Sequence, residues 1–581
     1  MHRRRLLAVF GVLAAVAVTA MKLSPALTAQ AGSPVQGGAA AAAPASVRLL
    51  GGARGAVKTS RGLPVEGLMV QLISDRTAIR TTVYTDDLGR YEFPRLEGGT
   101  YVLRIARPLE FRPHVREGVR IDGATSLPDI VVDRVAPGEF LPPTPDILPQ
   151  LSPAEWLFNM PGTAQEKRIV LRACGIGCHG VDYPFRHTFD EASWDKLLTR
   201  MIDYGPRLIT TPQPFSYIDG EIGGTQQAEK DLIINFFKRV RSLNSELPPM
   251  KAFPRPHGPA TRAVVTEYEL PWALQNVHDV AGDAQGNIWF TINRVPFIGK
   301  LEPATGRVTQ YRIPNTAPPA LHPEPGANIH PGLHWIDVDL RTGMVWFSWN
   351  WADAIGRLDP RTGDVQQVHT GVSGNMGLAP DGLSIWKNDG RRLQKFDTQT
   401  LLKTGKPVKE WPLALNGSTY GNRFSRDGRY FGGGGNTVVW FDVQTEELRE
   451  VPVPSGEFRK DAIHGRGDFD PEGNLWIGGK NGENIWRYNP KTGAVSEYVP
   501  PTPHVSTYSI RADKNGDVWA GLMNGGRVAR FKPRTHQWIE YVLPTANGGF
   551  DFNSWIDDST NPPTFWYGDQ FGYLVRVQPL E

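Results

Sequence analysis

The sequence predicts a mainly β, multidomain chain with a small N-terminal β-sandwich, a short α-helical segment and a seven-bladed β-propeller. Its 581 residues are enough for several domains. With 62 glycines, 49 prolines and 10% aromatic residues, it has the composition of short strands joined by tight turns. From residue 260 onward a tryptophan-centred phrase recurs, which is typical of an array of similar four-stranded units.

The charge balance limits the classes of partner. The chain has 63 basic and 60 acidic residues, so it lacks the basic excess that nucleic-acid binding requires. We therefore expect no nucleic-acid partner.

The first 31 residues have the pattern of a secretory signal peptide. A basic cluster from His2 to Arg5 precedes an apolar run, and the triplet Ala29 to Ala31 suits a signal-peptidase cut. We expect a periplasmic or secreted protein with no transmembrane segment in the mature chain, unless the leader stays as an anchor. Residues 32–46, rich in Ala, Gly and Pro, are expected to be a flexible tether.

Residues 47–135 contain short alternating segments, the clearest being 68–74, 80–85 and 101–106, which predict strands. The sequence from Thr85 to Phe93, followed by Gly98 to Tyr101, resembles the carboxypeptidase regulatory-like domain. That resemblance implies a transthyretin-like β-sandwich with a hairpin turn at Asp87 to Gly89. It also implies a spacer or a binding surface, with contact to carbohydrate as one use. A Pro-rich linker, 136–150, follows.

Both cysteines of the chain lie in one motif, Cys174 to His179. Two nearby thiols can add to the vinyl groups of a haem, and an adjacent histidine can ligate its iron. Three residues separate the cysteines, and the two glycines among them let this longer loop bend. We predict haem c attached through Cys174 and Cys178, with His179 as the proximal iron ligand.

The segments around this motif predict helices at 164–173, 191–204 and 231–243. Together with the motif they resemble the cytochrome domains of quinohaemoprotein-type enzymes, which implies a haem domain over 151–247. Met201 is then the first choice for the distal iron ligand, with Met160 and His187 in reserve. Packing in a helical core is the alternative for Met201.

Two other interpretations of the cysteines stay open. An exported protein normally oxidises neighbouring thiols, so Cys174 and Cys178 could form a structural disulfide with His179 incidental. A metal clip is the other, although the chain has no third cysteine to complete a thiolate site.

After a second linker, 248–259, the repeat of residues 260–581 is centred on aromatic positions 40 to 57 residues apart: Trp289, Trp346, Trp386, Phe431, Trp476, Trp519 and Trp566. Seven centres predict seven four-stranded blades. The last copy lacks its outer strand, whereas Thr266 to Pro271 stands alone before the first. We predict that this orphan strand completes the seventh blade and closes the ring.

The phrase from Gly286 to Thr291, followed by Ile298 to Pro303, resembles the streptogramin lyase (virginiamycin B lyase) propellers over about residues 261–581. The resemblance implies a metal-assisted elimination that opens a cyclic lactone, with a histidine base and a glutamate that helps to hold Mg²⁺. The acid that often follows Trp-Phe-Thr in that family is replaced here by Ile292 and Trp349. We therefore expect the fold without the lyase activity.

Three histidines precede the tryptophan motifs and are predicted to face the central channel as catalytic candidates: His278, His334 and His464. Their expected counterparts in the other blades are Asn375, Ser418, Ser506 and Asn553. Such imidazoles could hold a second metal, bind an anion or meet a substrate, or they could simply line a water-filled channel. Further polar residues, Asn524 among them, follow the tryptophan motifs and are expected in strand-end turns.

These features predict an exported c-type cytochrome that carries a propeller, transfers electrons and oxidises or reduces a substrate bound at the propeller face. Its partner would be a periplasmic redox protein or a small molecule. A metal-dependent lyase or hydrolase and a non-enzymatic binding platform are the alternatives. Because linker 248–259 is short and proline-rich, we expect the haem domain to pack on the face that bears the three histidines.

Overall fold

The structure is a computed structural model. It describes residues 51–581 with the exception of 176–179, 205–226, 272–276, 293–294, 315–331, 350–352, 373, 416–418, 436, 453–464, 480–481, 550, 552 and 570–571. The prediction of a mainly β chain is confirmed, since most elements in these residues are strands.

The N-terminal unit is a sandwich of seven strands: β1 Gly51–Thr59, β2 Met69–Ser74, β3 Arg80–Tyr84, β4 Arg90–Pro94, β5 Gly99–Ala106, β6 Val115–Ile121 and β7 Ile130–Val132. One layer has the order β4-β1-β7 and the other β3-β2-β5-β6. Val57, Val70, Phe93 and Leu103 are buried in its core. The apolar faces of the two layers thus cover each other.

Among the described residues of the next segment are four α-helices: α1 Pro153–Asn159, α2 Ala164–Cys174, α3 Glu191–Tyr204 and α4 Gln227–Val240. Short 3-10 helices lie at Leu148–Gln150, Pro184–Arg186 and Gly258–Thr261. Helices α1 and α2 each begin with a capping box, in which a hydroxyl and a glutamate satisfy each other's backbone amides. Trp194 of α3 stacks on Phe237 of α4, with 5.3 Å between ring centroids, in a common apolar core.

The remaining strands form four-stranded antiparallel blades. Strand β8, Ala263–Glu269, comes first. Blade 1 has β9 Val277–Gly282, β10 Ile288–Ile292, β11 Phe297–Glu302 and β12 Arg307–Arg312. Blade 2 has β13 Leu333–Val338, β14 Val345–Trp349, β15 Ala354–Leu358 and β16 Val365–His369. Blade 3 has β17 Gly377–Leu378, β18 Ser384–Asn388, β19 Arg392–Asp397 and β20 Lys409–Pro412, with α5 Leu401–Thr404 before its last strand.

Blade 4 has β21 Thr419–Phe424, β22 Tyr430–Gly435, β23 Thr437–Asp442 and β24 Leu448–Pro452. Blade 5 has β25 Gly467–Phe469, β26 Leu475–Gly478, β27 Ile485–Tyr488 and β28 Val495–Tyr498. Blade 6 has β29 Ile510–Ala512, β30 Val518–Leu522, β31 Arg527–Lys532 and β32 Gln537–Val542. Blade 7 has β33 Trp555–Asp557, β34 Thr564–Gly568 and β35 Tyr573–Pro579.

The innermost strand of each blade contacts that of the next, from β9 through β13, β17, β21, β25 and β29 to β33, and β33 contacts β9. This closed circuit of contacts arranges the described blades in a ring of seven. Strand β8 closes it by pairing with β35, from Ala263 opposite Pro579 to Glu269 opposite Tyr573. The predicted orphan strand therefore does supply the outer strand of blade 7.

The other edge of β8 pairs with β3 of the sandwich, so blade 7 and one sandwich layer form a continuous eight-stranded sheet. The sequence did not predict this pairing. It covers the edge that β8 would otherwise expose. The sandwich is consequently joined to the propeller through backbone hydrogen bonds, and not only through a linker.

Cross-strand pairs within the blades explain the residues that recur in the repeat motif. Phe290 lies opposite Gly299, and a Cβ at this glycine would overlap the phenylalanine ring. A basic side chain lies over the repeat tryptophan in six blades, 5.2 to 5.7 Å from its ring centroid: Lys300, Arg357, Lys395, Arg487, Arg530 and Arg576. Both pairs stabilise the sheet locally.

Candidate functional site

The site begins at β-bulges in the innermost strands. In blade 1 Val277 pairs with Ile292 and Val280 with Phe290, so His278 and Asp279 together face one residue of β10. Blade 2 has the same irregularity after Leu333, at His334. A bulge re-aims the side chains beside it, which is why two adjacent residues of β9 take part in one site.

Hydroxyl groups tie each bulge to the next blade. Thr291 Oγ1 donates to the carbonyl of His334 at 2.7 Å and accepts from the Asp279 amide at 3.1 Å. Ser348 Oγ, at the equivalent place in blade 2, donates to the Gly374 carbonyl at 2.6 Å. Thr291 thus positions the backbone of His334 in the next blade, and Ser348 makes the equivalent contact to Gly374.

The structure brings two of the three predicted histidines together. The rings of His278 and His334 are buried, with 4.1 Å between their centroids and an angle of 45°. His278 Nδ1 lies 2.7 Å from Asp279 Oδ1, and one ligand atom from each of the three residues lies within 4.8 Å of the others, close enough to hold a metal ion. His464 lies outside the described residues.

Both carboxylate oxygens of Asp279 are occupied by hydrogen bonds, so this residue orients its neighbours. The Arg466 guanidinium binds both of its oxygens at 2.9 Å, and Asn553 Nδ2 donates to Oδ2 at 2.5 Å. Burial opposes ionisation of Asp279, but Arg466 and His278 outweigh it and hold the pKa of this carboxyl below its ordinary value. An ionised Asp279 fixes the orientation of His278 and does not itself have an open position for a metal.

Two further arginines meet on the other side of Asn553. Arg423 Nη2 donates to Asn553 Oδ1 at 3.1 Å, and Arg511 donates to the same oxygen. Burial, followed by the charge of Arg423, lowers the pKa of Arg511 to about 9. Burial raises the pKa of Asp551 to about 7, against the opposing effect of Arg511. The channel therefore holds closely spaced charges of both signs.

The sequence motifs point to the histidines and not to these arginines. Counting back from the turn residue that ends each innermost strand would have found them. Asp279, Arg466 and Asn553 each lie four residues before the turn aspartate of their blade, which is Asp283, Asp470 and Asp557 respectively. Arg511 lies two residues before the turn aspartate of its blade, Asp513. By the same count His464 is one residue out of register with His278, since it stands six residues before its turn and His278 five.

The predicted haem ligands are described only in part. Cys174 ends α2, whereas Cys178 and His179 lie outside the described residues. Cys174 and Met201 pack against the same apolar cluster, and burial raises the pKa of the Cys174 thiol to about 12. Met160 is buried inside that cluster, while His187 is exposed.

The helical segment is fixed to blade 6 at Asn524. Asn524 Nδ2 donates to the Gly175 carbonyl at 2.8 Å, and its own carbonyl accepts from the Ala154 amide at 2.8 Å. Val181 N donates to Asn524 Oδ1 at 3.3 Å. A Cβ at Gly175 would lie 2.5 Å from the Leu171 carbonyl oxygen, so only glycine fits at this contact.

Asn524 lies on the same face of the propeller as the histidine pair. Met523, the residue before Asn524, pairs with Ser506. Ser506 lies just before the start of innermost strand β29, and His278 lies at the start of innermost strand β9. Innermost strands run in the same direction in every blade, so their starts share one face. The residue next to Cys174 is therefore fixed on the face where His278 and His334 lie.

This contact gives a first prediction. Asn524 is buried with φ 69°, a left-handed conformation that glycine adopts without strain. Asn524→Gly should remove only the side-chain bonds and destabilise the docked segment by about 1–3 kcal/mol. Asn524→Ala should cost about 1–2 kcal/mol more, because it adds backbone strain.

Hydrogen exchange of residues 153–175 in the full chain measures the effect. His536→Gly, at an exposed turn with φ 56°, is the matched control. Exchange in 153–175 that is the same in Asn524→Gly and in wild type would contradict the assignment of Asn524 as the docking residue.

The closed ring of four-stranded sheets defines the chain as a propeller protein with an N-terminal β-sandwich. Residues 52–132 match the carboxypeptidase regulatory-like domain family, which confirms that resemblance. No curated protein matches the chain. In the part of the chain that the structure describes, no helix has the length and apolar character needed to cross a membrane.

Among solved structures, the chain is similar to virginiamycin B lyase from Staphylococcus aureus, with 16% identity, a TM-score of 0.43, and coverage of 54% of this chain and 98% of the other. It is similar to a streptogramin B lyase with 21% identity, a TM-score of 0.43, and coverage of 54% and 97%. A chain of the mitotic checkpoint complex has 9% identity, a TM-score of 0.41, and coverage of 54% and 90%.

Proposed function

We propose that this protein is an exported c-type cytochrome, periplasmic or secreted, in which haem c is attached through Cys174 and Cys178. His179 and Met201 would ligate the iron, and electrons would pass between the haem and a small molecule or a redox partner at the propeller face. The observation that carries the haem assignment is the Cys174 to His179 motif. The Asn524 contact with Gly175 supports its position on the face that bears His278 and His334.

The described residues fit such a group. A thiol and a thioether, the donors that c-type haem uses for attachment and axial ligation, come from Cys174 and Met201 on one apolar cluster. Trp194, Leu198 and Phe237 give that cluster the low polarity that tunes a haem. When bound, the haem would supply one-electron chemistry, while the chain would supply attachment, ligation and position.

The propeller would orient the reacting partner. Ionised Asp279 accepts from His278 and sets the direction of its ring, and Arg466 keeps Asp279 ionised. His278 and His334 could then hold or exchange a proton with a molecule at the channel mouth, as imidazoles do near neutral pH. Electron transfer from the docked helical segment and proton transfer at the histidine pair would occur at the same face.

A visible spectrum of the protein made with a haem-attachment system tests the proposal. We expect a Soret band, and we expect the haem to stay with the chain after denaturation in acidified organic solvent. Absence of the band would overturn the proposal and favour the disulfide interpretation.

A second prediction concerns the lyase alternative. Ile292 and Trp349, at the positions where a carboxylate is expected, are both buried and apolar. Without such ligands a polarising Mg²⁺ cannot be held over the leaving group, so we expect no measurable opening of a streptogramin-B-type lactone. Metal-dependent turnover that is lost in His464→Ala would contradict this prediction and restore the lyase.

A further inference from the structure

A histidine of the propeller lies in the contact between the helical segment and the propeller. His504, in the connection between β28 and β29, places its ring 6.5 Å from the ring of Phe158 in α1, centroid to centroid. The next residue, Val505, is buried in one apolar cluster with Ala154 of α1. The side chain of His504 is 18% exposed. His504 is therefore part of the surface on which α1 packs.

A lysine of α2 contacts the same phenylalanine. Lys167 Nζ donates to the Phe158 carbonyl at 2.7 Å and lies 5.9 Å from the centroid of its ring. Burial and, to a smaller extent, the charge of Lys167 lower the pKa of His504 to about 4. A protonated imidazole would lie near an ammonium group that contacts the same aromatic ring.

The acid beside His504 is Glu483, in the connection between β26 and β27. Its Oε1 accepts from the His504 amide at 2.6 Å and lies 3.6 Å from the imidazole Nδ1, beyond hydrogen-bond distance. Burial raises the pKa of Glu483, against the opposing effects of the His504 amide and of the Arg168 charge. Protonation of Glu483 therefore favours the docked state and opposes the effect of protonating His504.

We propose that acidification loosens the docking of α1 and α2 on the propeller through protonation of His504. A histidine whose pKa is lowered in the folded state contributes its full stabilisation above its ordinary pKa of 6.5. That stabilisation is lost as the pH falls from 6.5 towards about 4. Because α2 ends at Cys174, low pH would weaken the attachment of Cys174 to the propeller. The contact consists of protein groups alone, so the inference does not depend on haem.

Hydrogen exchange of residues 153–174 in the full chain at pH 7 and pH 5.5, corrected for the intrinsic rates, tests the proposal. In wild type the opening equilibrium of α1 and α2 should rise about five- to tenfold at pH 5.5. In His504→Asn it should change little, because asparagine tolerates the left-handed φ of 61° and does not titrate. His536→Asn, at an exposed residue with φ 56°, is the matched control and should respond like wild type.

Two further measurements separate the histidine from its neighbours. Glu483→Gln removes the opposing carboxyl and should keep or increase the rise at pH 5.5. In wild-type protein with labelled histidines, the NMR signal that is missing from His504→Asn should titrate with a pKa below 6. The proposal is wrong if exchange of 153–174 does not rise at pH 5.5, if it rises equally in His504→Asn, or if His504 titrates at its ordinary pKa.

Discussion

Replacement of Cys174 or Cys178 by alanine is expected to leave haem held by a single thioether and to reduce the yield of haem-containing protein towards background. Replacement of His179 by alanine should abolish the low-spin spectrum, because the proximal imidazole would be lost. Haem staining after denaturing electrophoresis reports attachment, and the visible spectrum reports ligation. In the proposed function these changes have the largest effect on activity, since every electron passes through the haem.

Methionine variants separate ligation from packing. Met201→Leu should preserve volume in the apolar cluster but change the spectrum, because leucine lacks the thioether. Met160→Leu, at a position fully inside the same cluster, is the matched control and should leave the spectrum unaltered. An unchanged spectrum in Met201→Leu would refute the distal ligand and leave the attachment intact. If the purified protein contains no haem and a thiol assay detects no free cysteine, the result would favour a disulfide between Cys174 and Cys178.

The propeller could be predicted because its determinants are local. The repeat tryptophan donates to a turn acid six residues away, as Trp289 does to Asp283 and Trp476 to Asp470, and the Phe290 and Gly299 pair lies within one hairpin. Such contacts leave a period in the sequence. The orphan strand could be found as well, because a missing strand at one end matches a surplus strand at the other.

Other features depend on contacts that leave no local pattern. The pairing of β3 with β8 joins Arg80 to Glu267, and nothing in the alternation of either strand states which edge it will meet. The ion pair of Arg466 with Asp279 spans 187 residues. The bulge that places His278 and Asp279 in one site is a single extra residue in β9, which alternation cannot register.

The sequence therefore predicted a polar site at the channel, but not the carboxylate and the arginines that surround its histidines. The sequence predicted histidines at the channel; the structure places His278 and His334 on the innermost strands of blades 1 and 2, with a carboxylate and arginines around them. Asp279 and Arg466 lie four residues before the turn residue that ends their strands, and Arg511 lies two residues before its own. Arg is usually found on protein surfaces, so an arginine at a channel position is itself an indication of a role inside the channel.

Glu155→Ala is expected to have the largest effect on stability, about 3–5 kcal/mol in the free energy of opening of α1. Glu155 lies at a junction of all three parts of the chain. Its carboxylate contacts Arg107 of the sandwich at 3.1 Å and accepts from the Phe253 amide at 2.7 Å, and Arg107 also donates to the Leu543 carbonyl at 3.3 Å. Burial lowers the pKa of Arg107 and Glu155 opposes that effect. Without Glu155 the guanidinium would stay buried with no counter-charge.

Glu166→Ala is the matched control for this variant, because Glu166 occupies the same capping-box position at the start of α2. Its partner Arg239 is 53% exposed, so the control should lose a cap and a solvent-screened pair, about 1 kcal/mol. Hydrogen exchange of the α1 and α2 amides measures both variants in the full chain. If Glu155→Ala loosens α1 no more than Glu166→Ala loosens α2, the junction does not hold the helical segment, and the Asn524 contact alone must fix Cys174 on the propeller face.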